Sequence, residues 1–515
     1  MIGAVRKPGF GISKTTGVAG VERSEPPENN HLWAHFVRPQ PPIISQESWY
    51  VLVLPAIIVA LQCTCFAEEV ETTNAWIQTY NAGYRDGGGM YAGGSEIMHI
   101  VSHVGKLFAA NGYWEDSRWK TRPYDEKQSA QVLRLDASEA KWQVDLDLGE
   151  TNGLGLRYMK GNILKSVTFT RDERGDPLPK PKTLLVMASG AYTENDGVVS
   201  AWTRNDSTST WTHALVQRGS RANHVRWVPR DMEIYRDKIT GVERLFLLLG
   251  DPGIISGVYD ESLPHKIRWD KEIEFPQDSP FPTRPLGIIQ ANGKLLFSVG
   301  GTIYRRKDGA DPTYSPLLDL GDGVNTDVGG IRGLTTIANP NGRGESILFL
   351  WAPNGTSSGQ IKRLDPDADG GYTVHNEANM REWMAKHLDV EVGYVLGAHS
   401  NMYPIKHPST GETVHLIGIM GNLRGGNHLK WKGSRLYAGA MYAIRRPDQT
   451  YSIREVNGQY SRGKPVLVTP RAFAASPFGD GSIFVGGHDA SFKPSDDMAW
   501  IFRASVADVL ERRVD

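Results

Sequence analysis

Seven positions, one in each copy of a recurring sequence unit, carry residues that suit the binding of anions. The positions recur at intervals of roughly 60 residues. They hold four arginines, two histidines and one glutamate: Glu96, Arg157, His224, Arg284, Arg332, His399 and Arg471. Planar guanidinium groups bind carboxylate and sulfate in a bidentate geometry. If the units surround a common centre, these residues form a basic ring that would bind the acidic groups of an extracellular polymer.

A structural interpretation of the same arginines stays open. They would then pair with carboxylates of neighbouring units, such as Asp251, Asp322 or Asp327, and hold the units together. Ion pairs are common at contacts between repeated units, and a buried pair is favourable only when its geometry is good. Both interpretations can hold for different members of the ring.

Basic and aromatic residues also occur in the predicted loops that follow the second strand of several units. They are Tyr113 and Trp114, Tyr192, Arg424 and His428, and His488 with Asp489. Aromatic faces beside cations suit sugar rings that bear acidic groups, although a single aromatic residue more often serves packing. Together with the ring, these loops predict a substrate-binding mouth for an acidic glycan.

Eliminative cleavage of a uronic-acid polymer is the reaction that this residue set favours. It requires neutralisation of the carboxylate, a base for the adjacent proton and an acid for the leaving oxygen. The arginines would neutralise the carboxylate. His224 or His399 would be the base, and either Tyr158 or Tyr192 would be the acid. Hydrolysis would instead require two carboxyl groups, and Glu96 is the only acidic member of the ring, so a polysaccharide lyase is favoured over a glycoside hydrolase.

No cofactor is predicted. His99 and His103 are four residues apart, which on a strand gives no two-ligand metal clip. A divalent metal held in a central channel by His224, His399 and His488 has no supporting ligand spacing.

The elements that must position these residues are four-stranded units. Residues 284–323 contain four runs rich in β-branched and aromatic residues, each ended by turn residues: RPLGIIQ, KLLFSV, TIYRR and TYSPLLDL. Short connections make these runs an antiparallel sheet, and one such sheet cannot bury both of its faces. The unit therefore implies neighbours like itself.

Two further features recur with the unit. The predicted last strand opens with an aromatic residue, at Trp142, Trp211, Trp269, Tyr314, Tyr372 and Tyr451. The predicted third strand closes on an Arg-x-Asp turn, at Arg134, Arg204, Arg306, Arg363 and Arg446. The final unit lacks a fourth strand, and the segment NAWIQTY, with Trp76 at the aromatic position, is a candidate for it. This closure removes exposed sheet edges and gives seven units.

On these repeats, residues 69–515 resemble a secreted, bacterial-type seven-bladed β-propeller, in architecture only. The resemblance implies an all-β fold of four-stranded antiparallel blades, with the last blade closed by an N-terminal strand. A pair of β-sandwiches would also supply many short strands, but it does not predict an aromatic residue at a fixed interval. One segment departs from the pattern, because residues 376–393 place Met380 and Met384 at helical spacing and predict an inserted helix.

The N-terminal residues predict export. Residues 1–50 are proline-rich and polar, which indicates a disordered extension or residues upstream of the true translation start. Residues 51–67 form a short apolar run that ends in a small residue, as is typical of a signal peptide. Cleavage after Ala67 would remove both cysteines, Cys63 and Cys65. The expected location is secreted, either periplasmic or extracellular.

Composition excludes some partners and leaves two functional hypotheses. With 57 basic and 58 acidic side chains, the net charge of −1 gives no global attraction to nucleic acid, nor to a membrane after signal cleavage. The expected partner is an extracellular acidic polysaccharide or glycan, and a monomer is expected.

The first hypothesis is a carbohydrate-active propeller that binds, and in its catalytic form cleaves, an acidic polysaccharide. The second is a non-catalytic propeller module or scaffold for a protein or glycan partner.

Overall fold

A computed structural model describes most of the chain after residue 75. The described residues are 76–113, 129–149, 156–193, 195–220, 226–276, 284–321, 329–353, 359–389, 391–397, 402–423, 440–456, 466–490 and 497–511. The predictions for residues 1–50, for the signal peptide at 51–67 and for the two cysteines lie outside these residues. All that follows concerns the compact unit Glu71–Asp515.

The described residues form short strands with few helices. Three strands come first: β1 (Ile77–Asn81), β2 (Tyr84–Arg85) and β3 (Tyr91–Ala92). Blade 1 contains β4 (Glu96–His103), β5 (Lys106–Gly112), β6 (Gln131–Leu135) and β7 (Gln143–Asp147). Blade 2 contains β8 (Ile163–Arg171), β9 (Pro177–Tyr192), β10 (Asp196–Asn205) and β11 (Thr210–Ser220). Blade 3 contains β12 (Met232–Arg236), β13 (Glu243–Gly250), β14 (Gly253–Tyr259) and β15 (Ile267–Trp269), with the short β16 (Phe275–Pro276) beside β14.

The remaining blades repeat this order. Blade 4 contains β17 (Pro285–Ala291), β18 (Lys294–Val299), β19 (Thr302–Lys307) and β20 (Thr313–Asp319). Blade 5 contains β21 (Gly330–Ala338), β22 (Glu345–Ala352), β23 (Gln360–Pro366) and β24 (Tyr372–Asn379). After helix α1 (Met380–Leu388), blade 6 contains β25 (Val392–Gly397), β26 (Tyr403–Lys406), β27 (Thr413–Leu423), β28 (Met441–Arg445) and β29 (Tyr451–Glu455). Blade 7 contains β30 (Val466–Ala475), β31 (Ser482–Ala490) and β32 (Ala499–Ser505), followed by α2 (Val506–Glu511).

Neighbouring strands within each blade pair antiparallel, with β25 and β26 of blade 6 both paired to β27, and turn residues in the sequence set the connections. Blade 4 shows how. Asn292 and Gly293 both have positive φ, 49° and 63°, which is the backbone that a two-residue hairpin turn requires. The four strands of this blade coincide within a residue or two with the four runs predicted between residues 284 and 323.

The N-terminal strand closes the last blade. β1 pairs antiparallel with β32, with Ile77 opposite Arg503 and Asn81 opposite Trp500. Trp76, just before β1, is 7% exposed and packs with Trp500 and Tyr442. The predicted closure is confirmed, and blade 7 thereby gains its fourth strand.

The hydrophobic core is divided into clusters that lie between neighbouring blades. In the described residues, seven such clusters join blades 1 and 2, 2 and 3, 3 and 4, 4 and 5, 5 and 6, 6 and 7, and finally 7 and 1. Each blade thus buries both faces against its neighbours, and the series returns to its starting point. This arrangement is a β-propeller, and the predicted all-β class with four-stranded antiparallel blades is confirmed. The count of seven stays a prediction, because the pair His488–Glu96 joins blades 7 and 1 into one eight-stranded sheet.

Buried ions link pairs of blades at three seams. In each set, a carboxylate at or after the last strand of one blade accepts hydrogen bonds from an arginine on the third strand and an aromatic residue on the fourth strand of the next blade. The sets are Asp145 with Arg204 and Trp211, Glu274 with Arg306 and Tyr314, and Glu377 with Arg445 and Tyr451. At the first two seams the arginine is the one that recurs in the sequence, Arg204 or Arg306, whereas at the third it is Arg445 and not the predicted Arg446.

Helix α1 lies in the predicted segment 376–393 and is a packing element. Asn379 caps its N-terminus, and Asp389 ends it in a left-handed conformation. Met380 and Met384 are fully buried in the cluster between blades 5 and 6, and Trp383 packs beside them. None of the helices in the described part of the chain is long and apolar enough to cross a membrane.

Candidate functional site

A cavity of about 210 Å³ lies where the inner strands of the blades meet. Its wall takes residues from β4, β8, the segment before β12, β17, β21, β26 and β30, so every blade contributes to it. The wall residues are His99, Ile100, Ile163, Leu164, Lys165, Arg230, Asp231, Leu286, Gly333, Tyr403, Arg471, Ala472 and Phe473. The cavity is therefore the central channel of the propeller, with a mixed wall of cations, one aspartate, one histidine and apolar side chains.

Arg471 and Glu96 form a buried ion pair across the seam between blades 7 and 1. The carboxylate of Glu96 is inaccessible to solvent, and the side chain of Arg471 is 8% exposed. Neither Nε of Arg471 nor Oε1 of Glu96 has a hydrogen-bond partner among the described residues. For these two ring members the structural interpretation holds, because the pair ties two blades, but Arg471 also reaches the cavity wall.

Arg230 is the cation on the cavity wall that the described residues satisfy least. It lies two residues before β12, and its Nε has no hydrogen-bond partner among the described residues. Burial, and then the positive charges of Arg471 and Arg226, lower the pKa of Arg230 to about 10, while Glu96 acts in the opposite direction. A guanidinium in this setting would gain free energy from an anion in the cavity.

Lys160, just before β8, belongs to the same cluster of charges. Burial and the positive charge of Arg230 lower the pKa of Lys160 to about 8, and the negative charge of Glu96 opposes them. Burial likewise lowers the pKa of Arg284, followed by the charges of Arg230 and Arg226. The cations around the channel are therefore close enough to repel one another.

Lys160 makes the stability of the protein depend on alkaline pH. Its folded pKa of about 8 lies below the ordinary lysine value near 10.4, so between these values the unfolded chain binds more protons. The free energy of unfolding should therefore rise as pH increases through this window, by at most roughly 1.4 kcal/mol per pKa unit of separation. Urea unfolding of the wild type and of Lys160→Met at several pH values tests this. The variant should lose the rise, and an equal rise in both proteins would contradict the assignment.

His99 lies on the cavity wall as a neutral imidazole. Its Nε2 is 2.8 Å from the carbonyl oxygen of Asn162 and donates to it, which leaves the Nδ1 lone pair available. Burial lowers the pKa of His99 to about 4, and the charges of Arg471 and Lys165 contribute in the same direction. His103 instead is buried between Ser166 and Asp206, at 2.8 and 2.9 Å. The described residues contain no cluster of metal-ligating side chains.

Two other ring members, Arg284 and Arg332, lie near this cluster. Arg284 and Arg332 are 3% and 5% exposed, and Arg157 is partly buried. Arg332 and Arg284 are near enough for the charge of one to lower the pKa of the other. The substrate-binding role predicted for Arg157, Arg284, Arg332 and Arg471 stays a prediction.

The predicted loop residues take different positions. Tyr192 is 38% exposed, and its hydroxyl accepts a hydrogen bond from the backbone N–H of Trp227 at 3.1 Å. Its charge, when ionised, also acts on Arg230, so it lies beside the cluster. His488 is 4% exposed at the seam next to Glu96, and burial lowers its pKa to about 3.

Two tyrosines need correction. Tyr158, predicted as an acid at the mouth, is fully buried, and its hydroxyl is 2.6 Å from Ser200 Oγ in the cluster between blades 1 and 2. Tyr113, predicted to bind substrate, is 1% exposed and donates to Asp497 at 2.9 Å. Both hydroxyls form hydrogen bonds inside the fold, because a buried hydroxyl without a hydrogen bond would destabilise the folded state.

Five predicted residues, His224, His399, Trp114, Arg424 and His428, lie outside the described residues. The sequence repeat placed His224 at the ring position of blade 3. In the structure the inner strand of this blade begins at Met232, and Arg230 occupies the wall. Arg230 lies two residues before β12 and Arg284 lies directly before β17, so no fixed spacing in the sequence identified Arg230.

These features define an all-β propeller with a cationic central channel.

No protein-family model matches the sequence, and no curated protein matches it either. Among solved structures, the alpha-L-arabinofuranosidase of Fusarium graminearum with arabinobiose is 12% identical, with a TM-score of 0.39 over 83% of this chain and 96% of the other. The alpha-L-arabinanase of Penicillium chrysogenum is 12% identical, with a TM-score of 0.37 over 73% and 98%. The exo-inulinase of Aspergillus awamori is 10% identical, with a TM-score of 0.32 over 83% and 95%. Likenesses of this degree carry no conclusion about activity.

Proposed function

We propose that this chain is an exported, carbohydrate-active propeller that binds the acidic groups of an extracellular polysaccharide in its central channel. The supporting observation is Arg230, a guanidinium on the cavity wall whose Nε has no described partner and whose pKa is lowered by burial and by Arg471. A carboxylate or sulfate in the cavity would accept hydrogen bonds from this group and offset the repulsion among the cations.

The apolar part of the wall fits the rest of such a ligand. Ile100, Leu164, Leu286 and Phe473 line the cavity together with Tyr403. Sugar rings have apolar faces that pack on such side chains while their hydroxyls need polar partners. The combination of guanidinium groups and apolar wall therefore favours an acidic sugar over an inorganic anion.

Eliminative cleavage is the catalytic form of this proposal. Arg230 and Arg471 would neutralise the carboxylate, and Tyr192, the exposed tyrosine near Arg230, would protonate the leaving oxygen. The proposed bases, His224 and His399, lie outside the described residues. Incubation with uronate polymers should yield unsaturated, ultraviolet-absorbing ends, and no absorbance across the panel would refute the catalytic form.

A non-catalytic module or scaffold is the second candidate. The buried pair of Arg471 with Glu96 favours it, because that arginine is already used between blades. In this case the same face would bind a glycan or protein partner without turnover. We expect a monomer in either case.

Binding to matched acidic and neutral oligosaccharides tests the proposal. Calorimetry should show binding of an oligogalacturonate and of a sulfated glycan, and no binding of a neutral galactan fragment of equal length. Affinity should fall as salt rises, because the interaction is between charges. Equal affinity for the neutral ligand would contradict the proposal.

A further inference from the structure

The size of the channel cavity limits how much of a glycan it can hold. Its volume of about 210 Å³ is below the roughly 300 to 1,000 Å³ of pockets that enclose a drug-sized ligand. This space suits one monosaccharide unit and not a run of several.

The direction of approach is limited as well. Among the described residues, the inner strands of the blades and the segment before β12 surround the cavity laterally, and the cavity is open to solvent at its mouth. A polymer bound along its length would need an open groove across the face. A unit at a chain end needs only the mouth of the channel.

The polar groups are arranged for one acidic unit. Arg230 and Arg471 interact electrostatically with each other, and each has an Nε–H without a described partner. One carboxylate can accept from two guanidinium groups at once. Leu286 and Phe473, on the same wall, would pack against the ring of the same unit.

We infer that the channel binds a single terminal uronic-acid unit, with its carboxylate held between Arg230 and Arg471, and does not bind internal units of the polymer. This inference rests on the proposed function and goes beyond it in assigning the length and the end of the ligand. Specificity for this ligand would come from recognising two of its parts together, the carboxylate and the sugar ring that bears it.

Calorimetry on the full chain with D-galacturonate, tri-galacturonate, D-galactose and acetate tests this. The monosaccharide should bind within about threefold of the trimer at equal concentration of chain ends, since one unit makes all the contacts. Galactose lacks the carboxylate and acetate lacks the ring, so both should bind at least tenfold more weakly. Acetate binding as tightly as galacturonate would overturn the role of the ring.

Polygalacturonate of two chain lengths supplies the second measurement. At equal mass, the preparation with more chain ends should saturate more protein, in proportion to the number of ends. Affinity that rises steeply with length, or saturation that follows mass, would overturn end recognition while leaving the proposed function intact. Absence of binding to every acidic ligand would overturn both.

Discussion

Replacing Glu377 by glutamine should lower the free energy of unfolding by about 3 kcal/mol, the scale on which breaking one partner of a buried ion pair destabilises a protein. The side chain of Glu377 is 1% exposed at the seam between blades 5 and 6. Its carboxylate accepts from Arg445 Nε and Nη2 at 2.7 and 2.8 Å and from Arg363 Nη1 at 2.6 Å. It also accepts from the hydroxyl of Tyr451 at 2.5 Å.

The size of this effect follows from what the substitution leaves behind. Arg445 and Arg363 have side-chain exposures of only 3% and 6%, so neither can turn to water. Glutamine has no charge to compensate them, and its amide nitrogen would face guanidinium donors in place of an acceptor. Arg363 would keep Asp365 as a partner, whereas Arg445 would lose the carboxylate with which it pairs.

Urea unfolding measures the change, with Glu272→Gln as the matched control. Glu272 is an exposed glutamate in the segment after β15, so the control should change stability by less than about 0.5 kcal/mol. A loss for Glu377→Gln no larger than that of the control would show that this seam does not depend on the buried carboxylate.

The same residue gives a pH dependence with a definite sign. Burial alone would raise the pKa of Glu377, but Arg445, Tyr451 and Arg363 together hold that pKa below the ordinary glutamate value. Its stabilising contribution is therefore present above the unfolded pKa and is lost as pH falls through the folded value. Acid unfolding of Glu377→Gln should show a shallower decline in this range than the wild type.

Local sequence patterns predicted the blades well because they depend on short-range rules. The four strands of blade 4 followed from β-branched runs separated by Asn292-Gly293 and Gly300-Gly301, which the backbone requires at those turns. The closing strand followed from Trp76, because a missing fourth strand leaves an edge that must be covered. Turns and the closing strand can be predicted from local sequence alone, because neither depends on how the blades pack against one another.

The channel was harder to predict because its wall depends on register across blades. His224 was placed at the ring position by counting along the repeat, whereas an irregular segment, 226–231, precedes β12 and puts Arg230 at the wall. Tyr158 and Tyr113 lie near strand ends, but they turn into packed seams between blades. Which way a side chain points at the end of a strand is set by packing with a distant part of the chain, and no local pattern encodes it.

Replacing Arg230 by alanine should weaken binding of an acidic oligosaccharide by roughly 10- to 100-fold, the equivalent of losing one or two hydrogen bonds to a charged group. Its guanidinium lies on the cavity wall, and its Nε has no described partner to compensate. The stability of the protein should be unchanged or higher, because burial and the nearby Arg471 already disfavour the charged form of Arg230. Arg471→Ala is a less suitable test, since it would leave the buried carboxylate of Glu96 without its partner.

An arginine that binds the ligand should weaken binding when it is replaced and leave the free energy of unfolding unimpaired. A structural arginine should lower the free energy of unfolding when it is replaced. Arg268→Ala is the matched control, because Arg268 lies on the outer strand of the same blade, is 54% exposed and contacts Asp260 at 3.3 Å. It removes the same charge from the protein but should leave both affinity and stability nearly unchanged. If Arg230→Ala bound the acidic ligand as tightly as the wild type, the channel would not be the binding site. If it unfolded more easily than Arg268→Ala, the guanidinium would be part of the scaffold and the second candidate function would be favoured.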